Sequence, residues 1–325
     1  MPKSVVIIGA GVSGLTCAVV LAERGHRVSI LAEEIARKTT SGAAAAIWYP
    51  YDAEPADKVI DWALATYKIL VDLSRNPQTG VSMLELRTFS RTGKIQIPEW
   101  ALALGALVIP RGAGGGVEES LGILSSVFKS GFTMDVPLID TTIYLDYLAN
   151  RFGKAGGAIN ANVRFEKLED VDLAFDLLIN CAGIGARTLV PDVGLEPHRG
   201  QVVVVPKIDN LNCAIVSDDT PLMYAIPRKN DCVFGGTNDL SDNRKADPAS
   251  TSRIVAECSR VLNIEKPKVL AERVGLRPFR KSGVRLERER LHDGRTVIHN
   301  YGHGGAGFTL SWGCAREVVD LVRRD

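Results

Sequence analysis

The feature that most constrains this chain is Gly9-x-Gly11-x-x-Gly14, set between a short β-branched run and a stretch rich in Ala and Leu. Residues 4–8 read as a strand, and the Ala/Leu-rich stretch reads as a helix through Glu23 with Gly25 as its stop. In such a turn the first glycine permits the tight bend, the second lets backbone approach a pyrophosphate, and the third allows close helix packing. Residues 27–31 (RVSIL) read as a second strand running to Glu33, nineteen residues beyond Gly14, where an acid that accepts from ribose hydroxyls is expected. The unit is βαβ and predicts dinucleotide binding. It does not separate FAD from NAD, although Glu33 in place of an Arg favours a ribose with free hydroxyls over a 2′-phosphate.

A chain of 325 residues has room for about two domains at roughly 150 residues each. Lys plus Arg number 39 against 38 Asp plus Glu, so no global field recommends nucleic acid or an anionic membrane as partner. The six cysteines form no C-x-x-C pair and no metal-ligand spacing with His, which reads as buried thiols in a reducing compartment and no metal site. The glycines break the N-terminal apolar stretch, which argues against a signal peptide. No apolar run approaches the roughly 18 residues of a membrane span, and the last residues, Val-Arg-Arg-Asp, carry no peroxisomal or prenylation signal. A soluble cytoplasmic protein is expected.

Helical spacing recurs over residues 57–74, 141–152, 248–262 and 309–324. Between residues 81 and 110 the alternating runs LELRTF and KIQIP suggest antiparallel strands, and RGAGGG (111–116) reads as a loop. DLLINC (176–181) is an apolar strand running into Ala182-Gly183-Ile184-Gly185. GQVVVVP, PLMYAIP and CVFGGT then indicate a second sheet over about residues 200–237. A β-rich domain therefore interrupts a nucleotide-binding one.

Three further segments carry chemistry. Thr39, Thr40 and Ser41 precede Gly42 and the run Ala43–Ile47; hydroxyls suit phosphate oxygens, and tiny side chains admit a flat ring. A helix cap followed by an alanine helix is the plainer reading of the same residues. His299-Asn300-Tyr301-Gly302-His303-Gly304-Gly305-Ala306-Gly307-Phe308-Thr309 leads into the last helix, and such a Gly-rich helix start offers N–H groups and partial positive charge to an anionic ligand. Arg277 stands before Pro278, which biases it to extended backbone and suits it to present its fork to a carboxylate.

Taken in order, VVIIGAGVSGLT, TTSGAAAAIWYPY, NCAGIGA, HRGQ, YAIP, GLRPFR and HNYGHGGAGFTLSWG resemble the D-amino-acid oxidase family, which also includes D-aspartate oxidases. The resemblance spans Val5 to Gly313. It implies an α/β fold in which an FAD-binding Rossmann-like domain (1–75, 140–195, 290–325) receives an inserted antiparallel β-sheet substrate domain (76–139, 196–289). It also implies non-covalent FAD, oxidative deamination of D-amino acids, reoxidation by O₂ to give H₂O₂, and a homodimer.

By the same resemblance Arg277 holds the substrate α-carboxylate, Tyr224 of YAIP hydrogen-bonds that group, and the Gly305 carbonyl accepts from the α-amino group. Gly9, Gly11, Gly14 and Glu33 bind adenosine and pyrophosphate, Thr39, Thr40 and Ser41 line the phosphates, Ala45, Ala46 and Ile47 lie near the flavin, and Thr309 sits at its pyrimidine end. Val12, Ser13, Glu34, Leu168, Gly183, Gly302, Gly304, Gly307 and Phe308 complete the implied cofactor contacts, with Gly305 and Arg277 counted among them.

Some residues depart from the family's pattern. Thr220 stands where several eukaryotic members carry a lid tyrosine, which leaves more room for a large side chain, while Tyr49 takes some of it back. Asn238 follows VFGGT where D-aspartate oxidases commonly carry an Arg. Neutral D-amino acids are therefore expected over D-aspartate and D-glutamate, unless Arg228 at the pocket mouth receives an acidic side chain; its plainer reading is a solvated turn residue. D-aspartate oxidase and glycine or sarcosine oxidase are the enzymatic alternatives. An NAD-dependent dehydrogenase or a non-catalytic flavin module are the alternatives of another class.

Overall fold

A computed structural model describes residues 2–51, 53–93, 95–110 and 127–323 of the chain. Two sheets organise it. The first has six strands in the order Arg285–Arg290, Thr296–Tyr301, Leu177–Asn180, Ser4–Ala10, Arg27–Ile35 and Ala158–Asn160. All neighbours run parallel except the first two. Its central strands are fully buried at Val5, Ile7, Ile30, Ile179 and Ile298, the near-continuous apolar pattern expected where helices cover a parallel sheet. The helices Val12–Ala22, Ala56–Leu73, Thr141–Lys154 and Gly307–Val322 pack together. Cross-links from the last of these include Gly313 N–H donating to Thr66 Oγ1 at 2.9 Å and Trp312 Nε1–H donating to Tyr144 Oη at 2.7 Å.

The second sheet has nine strands among the described residues. Its long strand Leu195–Pro206 pairs with Ala271–Arg280, Asp231–Gly235 and Asp239–Leu240, and the order continues through Met223–Pro227, Cys213–Ser217, Val81–Ser90, Ser130–Ile139 and Leu107–Val108. This sheet is mixed rather than wholly antiparallel as expected, because Val81–Ser90 runs parallel to Cys213–Ser217. Two strands far apart in sequence can approach with either polarity, and no hairpin turn forces the antiparallel choice. The helix Pro248–Leu262 buries Ile254, Cys258 and Val261 against this sheet. It starts where expected because the Asp247 carboxylate accepts from Ala249 and Ser250 N–H and Pro248 takes the first turn.

Several expectations need correction. KIQIP forms no strand over its described residues, and Ile95 N–H instead donates to Ser130 Oγ at 2.8 Å. The strand Arg285–Arg290 already belongs to the first sheet, so the chain returns there before residue 290. The segment 111–116 lies outside the described residues. The run after Thr39 is helical only over Thr40–Ala43, capped by Thr39 Oγ1 accepting from Gly42 N–H at 3.3 Å. Beyond it the chain passes through a left-handed turn at Ala46 (φ +53°) and is pinned to the second sheet: Ile139 N–H donates to Ala46 O and Trp48 N–H to Pro137 O, both at 2.8 Å. The segment is a bridge between the two sheets.

All six cysteines are buried free thiols. Among the described residues no helix is long and apolar enough to cross a membrane.

Candidate active site

A cleft of about 600 Å³ runs from Glu33 past the glycine turn to Arg277, within the roughly 300–1,000 Å³ typical of ligand sites. The strand Ser4–Ala10 delivers the turn at its end. Gly9 has φ +107°, and a Cβ there would stand 2.4 Å from Cys181 O, so both conformation and space demand glycine. A Cβ on Gly14 would meet Gly9 O at 2.0 Å, which places the helix Val12–Ala22 directly against the turn. Gly11 caps that helix without a side chain, leaving backbone N–H groups at the cleft. Val12 N–H donates to Ser41 Oγ at 2.9 Å and Ser13 Oγ–H to Asn300 O at 3.3 Å. These contacts draw the bridging segment and the strand Thr296–Tyr301 around the helix start.

Glu33 and Glu34 line one end of the cleft, near Arg164 at 3.5 Å and Arg244 at 3.0 Å respectively. Ala45, Ala46, Ile47, Tyr49 and Thr309 line its middle. The Thr309 hydroxyl donates to Tyr49 O at 3.0 Å and accepts from Tyr49 N–H at 3.1 Å, which joins the last helix to the bridge. Gly304 N–H donates to Pro278 O at 2.9 Å, so the glycine-rich loop docks on the strand that carries Arg277. Buried His303 donates from Nε2 to Asn300 Oδ1 at 3.0 Å, and burial pushes its pKa down to about 4. It is neutral near pH 7.

At the far end the strand Ala271–Arg280 presents Arg277. Its Nη1 donates to Thr237 O at 2.8 Å and to Asn238 Oδ1 at 3.1 Å, while Asn238 Nδ2 donates to Tyr51 Oη at 3.4 Å. The Tyr224 ring lies over Gly235 and Gly236, where added Cβ atoms would stand 2.0 and 2.6 Å from ring atoms. Burial raises the Tyr224 pKa, and the neighbouring Arg277, which also hydrogen-bonds it, opposes that shift. Tyr224 therefore stays protonated, its oxygen accepting from Arg277 and its own hydrogen left to donate. The Tyr51 ring covers Gly305, whose Cβ would meet Tyr51 Cδ1 at 2.6 Å.

The cleft thus brings together Gly9, Gly11, Val12, Ser13, Glu33, Glu34, Thr39, Thr40, Ser41, Ala45, Ala46, Ile47, Gly183, Tyr224, Arg277, Gly304, Gly305, Gly307, Phe308 and Thr309. The glycine cradle, the hydroxyl-bearing bridge and the acid at Glu33 fit an extended dinucleotide such as FAD.

Other expected residues fall elsewhere. Leu168 is buried in an apolar cluster with Val6, Ile8 and Val171 and does not line the cleft; Val163, held by its N–H to Ala32 O at 3.0 Å, does. Gly302 packs beside Arg280 rather than on the cleft, and Gly14 acts only through helix packing. Thr220 is exposed and outside the cleft. Arg228 is neither a flexible residue at the mouth nor a solvated one. It is buried, and its Nε and Nη2 donate to the Asp231 carboxylate at 2.6 and 2.8 Å.

Sequence reasoning missed Tyr51, Asp218, Leu222, Arg187 and Arg244 on the cleft wall. Asp218 is open to the cleft, yet the surrounding protein desolvates its carboxyl and, with the Asp219 charge, raises its pKa.

A family model described as FAD dependent oxidoreductase (DAO) matches residues 4–321. A D-amino-acid oxidase of Streptomyces coelicolor is 40% identical over 323 residues, covering 98% of this chain and 96% of that protein. One from Rubrobacter xylanophilus is 37% identical over 321 residues, covering 98% and 95%. A human D-aspartate oxidase is 30% identical, covering 98% and 94%. Among solved structures, glycine oxidase from Geobacillus kaustophilus superposes with a TM-score of 0.82 at 18% identity, covering all of this chain and 95% of that one. That last likeness is one of fold.

Proposed function

The chain belongs to the FAD dependent oxidoreductase family, and on that premise we propose that it is a D-amino-acid oxidase. The observation that carries this reading is the meeting of Arg277, Tyr224 and Gly305 in the cleft that also holds the glycine turn. When bound, FAD supplies the two-electron acceptor for the substrate α-hydrogen.

The chain's own residues bind and orient. Arg277, steadied by Thr237 O and Asn238, offers the rest of its fork to the α-carboxylate. Tyr224, kept protonated, donates to the same group. The Gly305 carbonyl accepts from the α-amino group, which fixes a second substituent of the α-carbon in the cleft that Ala45, Ala46 and Ile47 also line. Positioning of this kind needs no strong base. The helix start at Gly307 directs partial positive charge into the cleft, where it suits the negative charge that develops on reduction. The amino acid, O₂ and water are converted to a 2-oxo acid, ammonia and H₂O₂.

Substrates without a side-chain carboxylate fit best. Asn238 offers no cation there, Arg228 is committed to Asp231, and Asp218 repels a second carboxylate. The cell compartment proposed is the cytoplasm, with free buried thiols as its support. A homodimer is proposed as the assembly, and the exposed Leu102, Leu107 and Val108 offer apolar surface for it; light scattering that finds only monomer at micromolar concentration counts against it.

The deciding experiment combines a flavin spectrum with a peroxide assay over D- and L-amino acids. A yellow protein whose chromophore is released by acid and which makes peroxide from D-alanine or D-methionine is expected. A colourless protein, or peroxide from L-amino acids alone, overturns the proposal.

A further inference from the structure

We infer that Asp218 makes this cleft select D-amino acids whose side chain ends in a cation, such as D-lysine and D-arginine. The inference rests on the oxidase reading above and widens its neutral substrate class.

The placement of Asp218 follows from strand register. Met223–Pro227 and Cys213–Ser217 pair antiparallel with Tyr224 opposite Val216 and Met223 opposite Ser217. Asp218 and Leu222 are the residues that directly follow and precede the last of these pairs, at the ends of the two strands. Alternate residues share a face, and Val216, Asp218, Leu222 and Tyr224 all line the cleft. Diagonal neighbours in such a pair stand about 7–8 Å apart, within reach of long side chains. Asp218 therefore lies one diagonal from Tyr224, which itself contacts Arg277. An α-carboxylate at Arg277 and a distal ammonium at Asp218 fit one long, dipolar substrate.

The adjoining carboxylate is already committed, since Asp219 accepts from Ser90 Oγ at 3.0 Å and from Arg91 N–H. Those contacts fix the backbone that presents Asp218. Among the described residues Asp218 itself has no hydrogen bond and no ion pair, and its charge is felt by Tyr49 across the cleft. The other cations on the cleft wall, Arg164, Arg187 and Arg244, are paired with Glu33, Asp242 and Glu34. Tyr49, Tyr51 and Tyr224 supply aromatic walls, and an aromatic wall beside a carboxylate favours a cation further.

The test compares kcat/KM for D-lysine with that for D-norleucine, which has the same chain length without the ammonium, at mildly alkaline pH on the flavin-loaded enzyme. The wild-type ratio should exceed one, and it should fall at least tenfold in Asp218→Asn and recover in part in Asp218→Glu. Where Asp218→Asn loses its flavin, Asp218→Ser takes its place. A wild-type ratio below one, or an equal loss for both substrates on substitution, overturns the role given to Asp218 while leaving the oxidase reading intact. No turnover of any D-amino acid by yellow wild-type protein overturns the oxidase reading, and this inference with it.

Discussion

The Arg277 guanidinium lies against the backbone of Gly200: a Cβ added at residue 200 would stand 2.6 Å from Cζ and from both Nη atoms. The two residues are brought together by pairing of Ala271–Arg280 with Leu195–Pro206, in which Arg277 faces His198. The missing side chain at 200 is what lets the fork lie flat against this strand.

Gly200→Ala should therefore displace the fork, because the end of a flexible side chain yields before a sheet does. KM for D-alanine is expected to rise about tenfold, equivalent to roughly 1.4 kcal/mol of lost binding, with the flavin spectrum unchanged. Steady-state kinetics check this; an unaltered KM would show that the packing has no bearing on the carboxylate site.

Arg277→Ala removes the charge-assisted partner of a desolvated carboxylate. A loss of roughly 3 to 5 kcal/mol, or about two to three and a half decades in kcat/KM, is expected. Flavin should remain bound. Normal oxidation of D-alanine by this variant would dismiss Arg277 as the carboxylate anchor.

Tyr224→Phe keeps the ring that packs on Gly235 and Gly236 and deletes one hydrogen bond. The cost should be about 0.5 to 3 kcal/mol in kcat/KM, leaving an active enzyme. Complete loss of turnover with intact flavin would give the phenol an acid–base role, contrary to its protonated state here.

The pH dependence of stability should carry the signature of His303. Burial holds its folded pKa at about 4, below the ordinary 6.5. Between those values the unfolded chain binds a proton that the native chain does not, so stability falls as pH falls through that window, by about 1.4 kcal/mol per unit and roughly 3 in all. His303→Gln should flatten the decline between about pH 7 and pH 5 in urea midpoints. An equally steep decline in the variant would assign the acid sensitivity to other groups.

The parts of the fold that could be read in advance are those where local sequence is sufficient. The turn at Gly9, the acid at Glu33 and the helix Pro248–Leu262 with its Asp247 cap each depend on neighbours within a few residues. The parts that could not are set by pairing at a distance. Cys213–Ser217 is a short apolar run whose parallel partner lies far upstream, and without it neither Asp218 nor Leu222 can be placed on the cleft. Leu168 misled because an apolar residue near a nucleotide site fits core and cleft equally well, and the hydrogen bond from Val163 to Ala32 decides between them. Arg228 has a partner only three residues on, in Asp231, but burial of the pair is a tertiary fact.

The turn at Gly9 and the loop 303–309 lie at opposite ends of the chain, yet they form one wall of the same cleft. During synthesis the fingerprint emerges first and must wait, without its partners, for the last helix to leave the ribosome. A flavin that needs both parts of this wall is therefore expected to load only after the loop 303–309 has been made. A chain halted before Tyr301 should hold no flavin in a ribosome-release experiment, and a yellow nascent complex would show that the amino-terminal half of the cleft captures the cofactor alone.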